Sequence, residues 1–176
     1  MVAPGLGAAH AALGNFYWAT GKGQLAEQAF MKGVEVEPQS VIAHRAAATF
    51  YLGSGRPLQA ERSLRFVADH SGEFEARLAL GDYYLLTGRR DQGVAEIEAA
   101  RKLPVAYAEA TTRLIALAYA EGRRQEAEKD LGALLTTHPR SPHALVLKAR
   151  FLLRRGENAE ALRLATAATD FDDKYI

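Results

Sequence analysis

ALGNFYWATG, residues 12–21, returns as ALGDYYLLTG at residues 79–88. The closing glycine of each copy belongs to a longer series. Gly21, Gly55, Gly88, Gly122 and Gly156 recur at intervals of 34, 33, 34 and 34 residues, each after an apolar helical pattern. Five residues beyond each stands a small residue: Ala26, Ala60, Gly93, Ala127 and Ala161. Self-similarity at a fixed period of this size marks a stacked repeat array, in which a single unit cannot bury its own apolar face.

With the glycine placed at position 15 of a 34-residue unit, the units run over 7–40, 41–73, 74–107, 108–141 and 142–175. Position 11 then reads Tyr17, Tyr51, Tyr84, Ala118 and Leu152, and position 24 reads Phe30, Leu64, Ile97, Leu131 and Ala165. Position 32 carries Pro38 and Pro139, with Pro104 displaced by one. In the first unit Leu13, Gly14, Tyr17, Ala26, Phe30 and Pro38 occupy positions 7, 8, 11, 20, 24 and 32.

On those six positions, and on the register of all five units, the chain resembles the tetratricopeptide repeat family over nearly its whole length. The resemblance implies an all-α fold of about ten antiparallel helices in a right-handed superhelix. Two departures stand out. Position 4, usually Trp in the family, is His10, His44, Arg77, Thr111 and Leu145, and unit four places Ile115 at the small position 8. Unit four also has Ala118 at position 11, so volume is exchanged across neighbouring turns. ALGNFYWATG and ALGDYYLLTG are similar to segments of bacterial members of the family, some from cell-envelope or polysaccharide systems.

The spacing has a physical cause. Positions 4, 7, 8 and 11 share one face of a helix of period 3.6, and positions 20, 24 and 27 share one face of the next. Small residues at 8 and 20 let the two helices approach, and the large residues at 11 and 24 fill the remaining space. Glycine at 15 stops helix A in the left-handed conformation, and proline near 32 stops helix B. Ser141 and Pro142 read as an N-cap and first-turn proline. The expected helices span 6–20, 23–36, 41–53, 57–70, 73–87, 90–102, 105–121, 124–137, 142–155 and 158–170.

Composition sets the outer limits. The 176 residues are 48% hydrophobic and 24% charged, as in a globular chain with a sizeable core. No cysteine is present, which excludes disulfides and thiolate metal sites. A net charge of +1 is too small to argue for nucleic acid, and no stretch approaches the length of a membrane span. The chain as given reads as soluble, with cytoplasm and periplasm both open. Repeat arrays need polar outer faces on their terminal units. From Ala168 only ATDFDDKYI remains, with no further amphipathic helix, so the expectation is a fragment of a longer protein or an array whose ends are covered by self-association.

No catalytic, cofactor or metal site is expected. His10 and His44 share position 4 and read as packing residues, while His138 and His143 flank the PRSP loop and read as solvated. TGKGQ, residues 20–24, lacks the spacing of a phosphate loop, and there is no HExxH or GxSxG. Asp172 and Asp173 lie in the tail and read as solvated.

One charge pattern follows the repeat. Lys22, Arg56, Arg89 and Arg123 hold position 16, and Arg90, Arg124, Arg154 and Arg155 adjoin them, giving a basic edge at the turns between helices A and B. Cations there favour the helix dipole. The other reading is an anionic ligand or surface met edge-on.

The family resemblance implies that the A helices line a concave groove into which positions 2, 5, 9 and 12 point. The candidate partner-binding residues are Asn15, Trp18, Arg45, Thr49, Leu52, Asp82, Leu85, Arg113, Tyr119 and Arg150. Trp18 and Tyr119 are the amphipathic aromatics enriched at binding hot spots. Chaperone-binding members of the family grip an acidic C-terminal peptide with a lysine at position 5 and an asparagine at position 9. Asn15 is present, but Ala11 replaces the lysine and Glu109 has the wrong sign, which disfavours that clamp. The expected function is a non-enzymatic scaffold for a peptide or helix of a protein partner, with assembly through the terminal repeats as the alternative.

Overall fold

A computed structural model describes residues 5–171. The end of the fifth expected unit, together with Asp172 and Asp173, lies outside the described residues. The chain forms α1 (Leu6–Ala19), α2 (Gly23–Val36), α3 (Val41–Gly53), α4 (Pro57–His70), α5 (Phe74–Leu86), α6 (Arg90–Arg101), α7 (Tyr107–Ala120), α8 (Arg124–Thr137), α9 (Pro142–Arg154) and α10 (Asn158–Asp170). No strand occurs among the described residues. The bounds follow the spacing closely, with one difference: the helix expected over 105–121 begins at Tyr107, behind a 3-10 turn at Pro104–Ala106. Pro104 opens that tighter turn, where its missing N–H is not needed.

Every A–B turn is closed in the same way. Gly21, Gly55, Gly88, Gly122 and Gly156 all have positive φ, between 69° and 89°. The N–H after each glycine donates to the carbonyl of the position 11 residue, as in Lys22 to Tyr17 at 2.8 Å and Arg89 to Tyr84 at 2.8 Å. Each glycine N–H donates to the next carbonyl along, as in Gly21 to Trp18 at 3.0 Å. This paired pattern satisfies carbonyls that the helix end would leave open, and it requires a residue without a Cβ. At the other ends, the Ser40 and Ser141 hydroxyls accept from the N–H groups of Ala43 and Ala144.

The chain divides into two compact bodies, one up to Glu96 and one from Ile97. The core of the first gathers Phe30, Val34, Phe50, Leu64, Leu80 and Tyr84 around the small residues Ala26, Ala47, Ala48 and Ala60. Burying each large side chain there contributes about 1.5–3 kcal/mol. Close approach depends on missing atoms. A Cβ on Gly14 would stand 2.6 Å from the Phe30 ring, and one on Gly53 would stand 2.7 Å from the Trp18 indole. The second body packs Ile115, Ala118, Ala127, Leu131, Leu134, Leu147 and Phe151 together, so the large-for-small exchange of unit four is accommodated inside the core.

His44 lies in the first body, 2% exposed. Its Nε2 is 3.0 Å from the Pro38 carbonyl and its Nδ1 is 3.2 Å from the Ser63 hydroxyl. The neutral ring satisfies both contacts, donating from Nε2 and accepting at Nδ1. Its face stacks on Phe66 at 3.9 Å. Burial pushes its pKa below the ordinary 6.5.

Candidate functional site

Each body carries a trough between adjacent A helices. In the first, a cavity of about 290 Å³ is bounded by Arg45, Thr49 and Leu52 of α3 and Ala76 of α5, with Leu64 and Val67 of α4 as its floor. In the second, a cavity of about 270 Å³ lies between α7 and α9, lined by Thr112, Arg113, Ala116, His143, Val146 and Arg150. Both join apolar surface to arginine, and both combine core residues with helix A positions that face away from the hairpin core. Small, mostly apolar concavities with a few polar groups are the usual form of a ligand site.

The rim charges differ in how they are compensated. Arg45 donates to Glu73 at 2.7 Å, and Arg113 donates to Glu109 at 2.8 Å. Glu109 also lies 3.6 Å from Nε2 of His143. Arg150 is exposed and has no carboxylate partner among the described residues.

The other candidate groove residues lie elsewhere. Asn15 and Asp82 are exposed and Leu85 is half-buried, but none of the three lines either cavity. Trp18 is half-buried, edge-on to Phe50 with ring centroids 5.5 Å apart. Tyr119 stacks on Phe151 at 4.0 Å, and the guanidinium groups of Arg124 and Arg154 lie 5.7 Å and 5.4 Å from its ring centre. The expected groove set omits Thr112, His143 and Val146, although they occupy groove positions 5, 2 and 5. It also omits Leu64 and Val67, which serve core and trough floor together.

The basic edge is interlaced with acid. Arg56 donates to both carboxylate oxygens of Glu27, at 3.1 and 2.9 Å, and Arg89 donates to Glu61 at 2.8 Å. Both glutamates hold position 21 of the preceding hairpin. Arg155 reaches Glu128, again at position 21, at 3.0 Å, and Glu157 at 2.7 Å. Arg123 pairs locally with Glu121 and Glu126, and Arg90 with Asp91. Arg56 also lies over the rings of Phe50 and Tyr51, and Arg89 over those of Tyr83 and Tyr84. These cations tie one hairpin to the next. Lys22 is left without such a partner among the described residues.

Among the described residues no group of three or more His, Asp or Glu side chains is placed to hold a metal ion. None of their helices is long and apolar enough to cross a membrane.

The tetratricopeptide repeat family matches residues 118–175. No curated protein matches the chain in sequence. Among solved structures, a tetratricopeptide repeat protein of Parabacteroides merdae is 18% identical with a TM-score of 0.71, over 92% of this chain and 63% of that one. A thermophilic tetratricopeptide protein of Thermus thermophilus is 20% identical with a TM-score of 0.63, over 96% and 92%. YrrB, described as a tetratricopeptide protein with an unusual peptide-binding site, is 16% identical with a TM-score of 0.57, over 93% and 84%. At these identities the likeness shows the fold, an all-α helical repeat of the tetratricopeptide solenoid class. That fold generally serves as a protein–protein interaction scaffold.

Proposed function

Because the chain is built of tetratricopeptide repeats, we propose that it is a non-enzymatic scaffold holding a peptide or helix of a protein partner against its A helices. The observation that carries this reading is a trough between adjacent A helices in each body, lined in both by positions 5 and 9 of one helix and 2 and 6 of the next and with arginine at the rim. A ligand that suits the first trough presents apolar side chains to Leu52 and Val67 and an acidic group to Arg45; one that suits the second presents an apolar side chain to Val146 and an acidic group to Arg150. Compensated cations such as Arg45 discriminate by exchanging Glu73 for a ligand carboxylate, which favours specificity over raw affinity.

The alternative, an anionic surface met along the basic edge, has less support. Arg56, Arg89, Arg123 and Arg155 already have carboxylate partners, so such a ligand would have to displace them.

A phage-displayed peptide library selected on the full chain tests the trough. Enriched peptides are expected to combine apolar residues with a carboxylate, and to lose at least about tenfold in affinity for a folded Arg45→Glu, Arg150→Glu variant. Undiminished binding by that variant would place the site elsewhere.

A further inference from the structure

Within the second body, two arginines at the A–B turns differ from their neighbours in how their charge is met. Arg123 pairs with Glu121 and Glu126, and Arg155 with Glu128 and Glu157. Arg124 and Arg154, the residues beside them, are exposed and have no carboxylate partner among the described residues. Their guanidinium groups converge instead on Tyr119, 5.7 Å and 5.4 Å from its ring centre. Phe151 stacks on the same ring at 4.0 Å, which leaves the two guanidinium groups to its other face and margin.

Neither packing nor helix stability calls for this pair. The step from unit one to unit two makes the same aromatic contact without cations. There Trp18, at position 12, rests edge-on against Phe50, at position 10 of the next unit, as Tyr119 rests on Phe151. The places of Arg124 and Arg154, positions 17 and 13, are held at that step by Gly23 and Gly53. A Cβ on Gly53 would stand 2.7 Å from the Trp18 indole, so position 13 borders the aromatic of the unit before it. Arg124 is also the first residue of α8, where a cation opposes the helix dipole. Arg150 lies one turn before Arg154 on the same face of α9, and like charges at that spacing destabilise a helix. The described residues thus hold three cations along one surface with no carboxylate of their own to offset them.

We propose that Arg124 and Arg154, with the Tyr119 ring as floor, bind a phosphate monoester group one helical turn beyond the second trough. Such a group carries a charge of about −1.5 to −2 at neutral pH and matches two guanidinium groups, whereas a carboxylate matches one. The site stands whether or not a peptide fills the trough. Its phosphate comes from a phosphorylated side chain of a partner or from a small phosphorylated molecule, and the test separates the two.

The full chain, labelled with nitrogen-15, is titrated at about pH 7.5, where a phosphate monoester is dianionic, and at constant ionic strength set with chloride. The probes are inorganic phosphate, N-acetyl-O-phosphoserine amide and, as a singly charged control, N-acetyl-aspartate amide. Saturable shifts are expected at the Nε–H signals of Arg124 and Arg154 and at the Tyr119 amide with both phosphate probes. Tighter binding of the phosphoserine amide than of inorganic phosphate assigns the site to a phosphorylated side chain; equal or weaker binding assigns it to a small phosphorylated molecule. Arg124→Gln with Arg154→Gln should weaken phosphate binding at least about tenfold. Arg123→Gln with Arg155→Gln removes the same charge from the adjacent, paired arginines and should leave the affinity unchanged. Arg124 and Arg154 are exposed, so circular dichroism of their double variant should match the wild type. Failure of both phosphate probes to saturate, equal binding by the aspartate amide, or equal weakening in the two double variants would overturn the proposal. The aspartate comparison uses the wild-type chain, so it decides even where a variant unfolds.

Discussion

Arg89 and Glu61 are joined at 2.8 Å across the step from one hairpin to the next, and Arg56 and Glu27 make the same step one unit earlier. The pairs recur because position 16 of one unit comes to rest beside position 21 of the unit before it. Arg56 and Arg89, which look in sequence like part of an exposed basic edge, are thus part of the stacking.

The Glu61 pair predicts a pH effect. Its hydrogen bond from Arg89 holds the Glu61 carboxyl below the ordinary 4.5. A depressed folded-state pKa means that stability is fully present above 4.5 and is lost as pH falls through the folded value. Urea midpoints measured at about pH 6 and about pH 3.5 should show a smaller drop for Glu61→Gln than for the wild type. Equal drops would mean that the pair contributes nothing, as many partly exposed ion pairs do.

His44 gives a second, separate window. Its folded pKa is lowered by burial, so the unfolded chain takes up a proton first. Stability is full above 6.5 and is lost as pH falls from 6.5 through the folded value. The loss between about pH 7.5 and pH 5.5 should shrink in His44→Gln. A variant with an unchanged pH slope would mean that the ring is not held neutral.

Gly14 and Gly132 are both helical glycines with opposite expectations. Gly14→Ala drives a Cβ into the Phe30 ring and should cost about 1–3 kcal/mol. Gly132 has nothing within 4 Å of its missing Cβ, so Gly132→Ala should gain about 0.5–1 kcal/mol. Chemical denaturation of the two variants checks both signs.

Position 10 offers a matched pair. Phe50 is 2% exposed, and Phe50→Ala should cost about 3–5 kcal/mol. Phe16→Ala, at the same position of α1 but 58% exposed, should stay within about 0.5 kcal/mol of wild type. A large loss from Phe16→Ala would mean that the α1 face is packed in solution.

Local rules made the helices legible. The turn at Gly88 needs only a glycine that accepts positive φ, and the start at Pro142 needs only Ser141 before it; both are read within a few residues. The packing of Gly14 on Phe30 was legible as well, because both belong to one unit. Contacts between units were not. Nothing in the spacing within a unit says that Phe50 and Tyr83 face the preceding hairpin, or that Glu27 and Glu61 wait there for arginines. The trough was partly legible: Arg45, Thr49 and Leu52 stand at groove positions that the family resemblance implies. Its floor did not, because Leu64 and Val67 serve two surfaces and sequence periodicity registers only the core.

We propose that ligands lie along the A helices. Backbone amide chemical-shift mapping of the full chain, titrated with a peptide selected on it, addresses this directly. The account predicts that the largest changes cluster on α3 and α5 around Thr49, Leu52 and Ala76, or on α7 and α9 around Ala116, Val146 and Arg150. Changes confined to the outward residues of α4 and α8, with those positions silent, would contradict it.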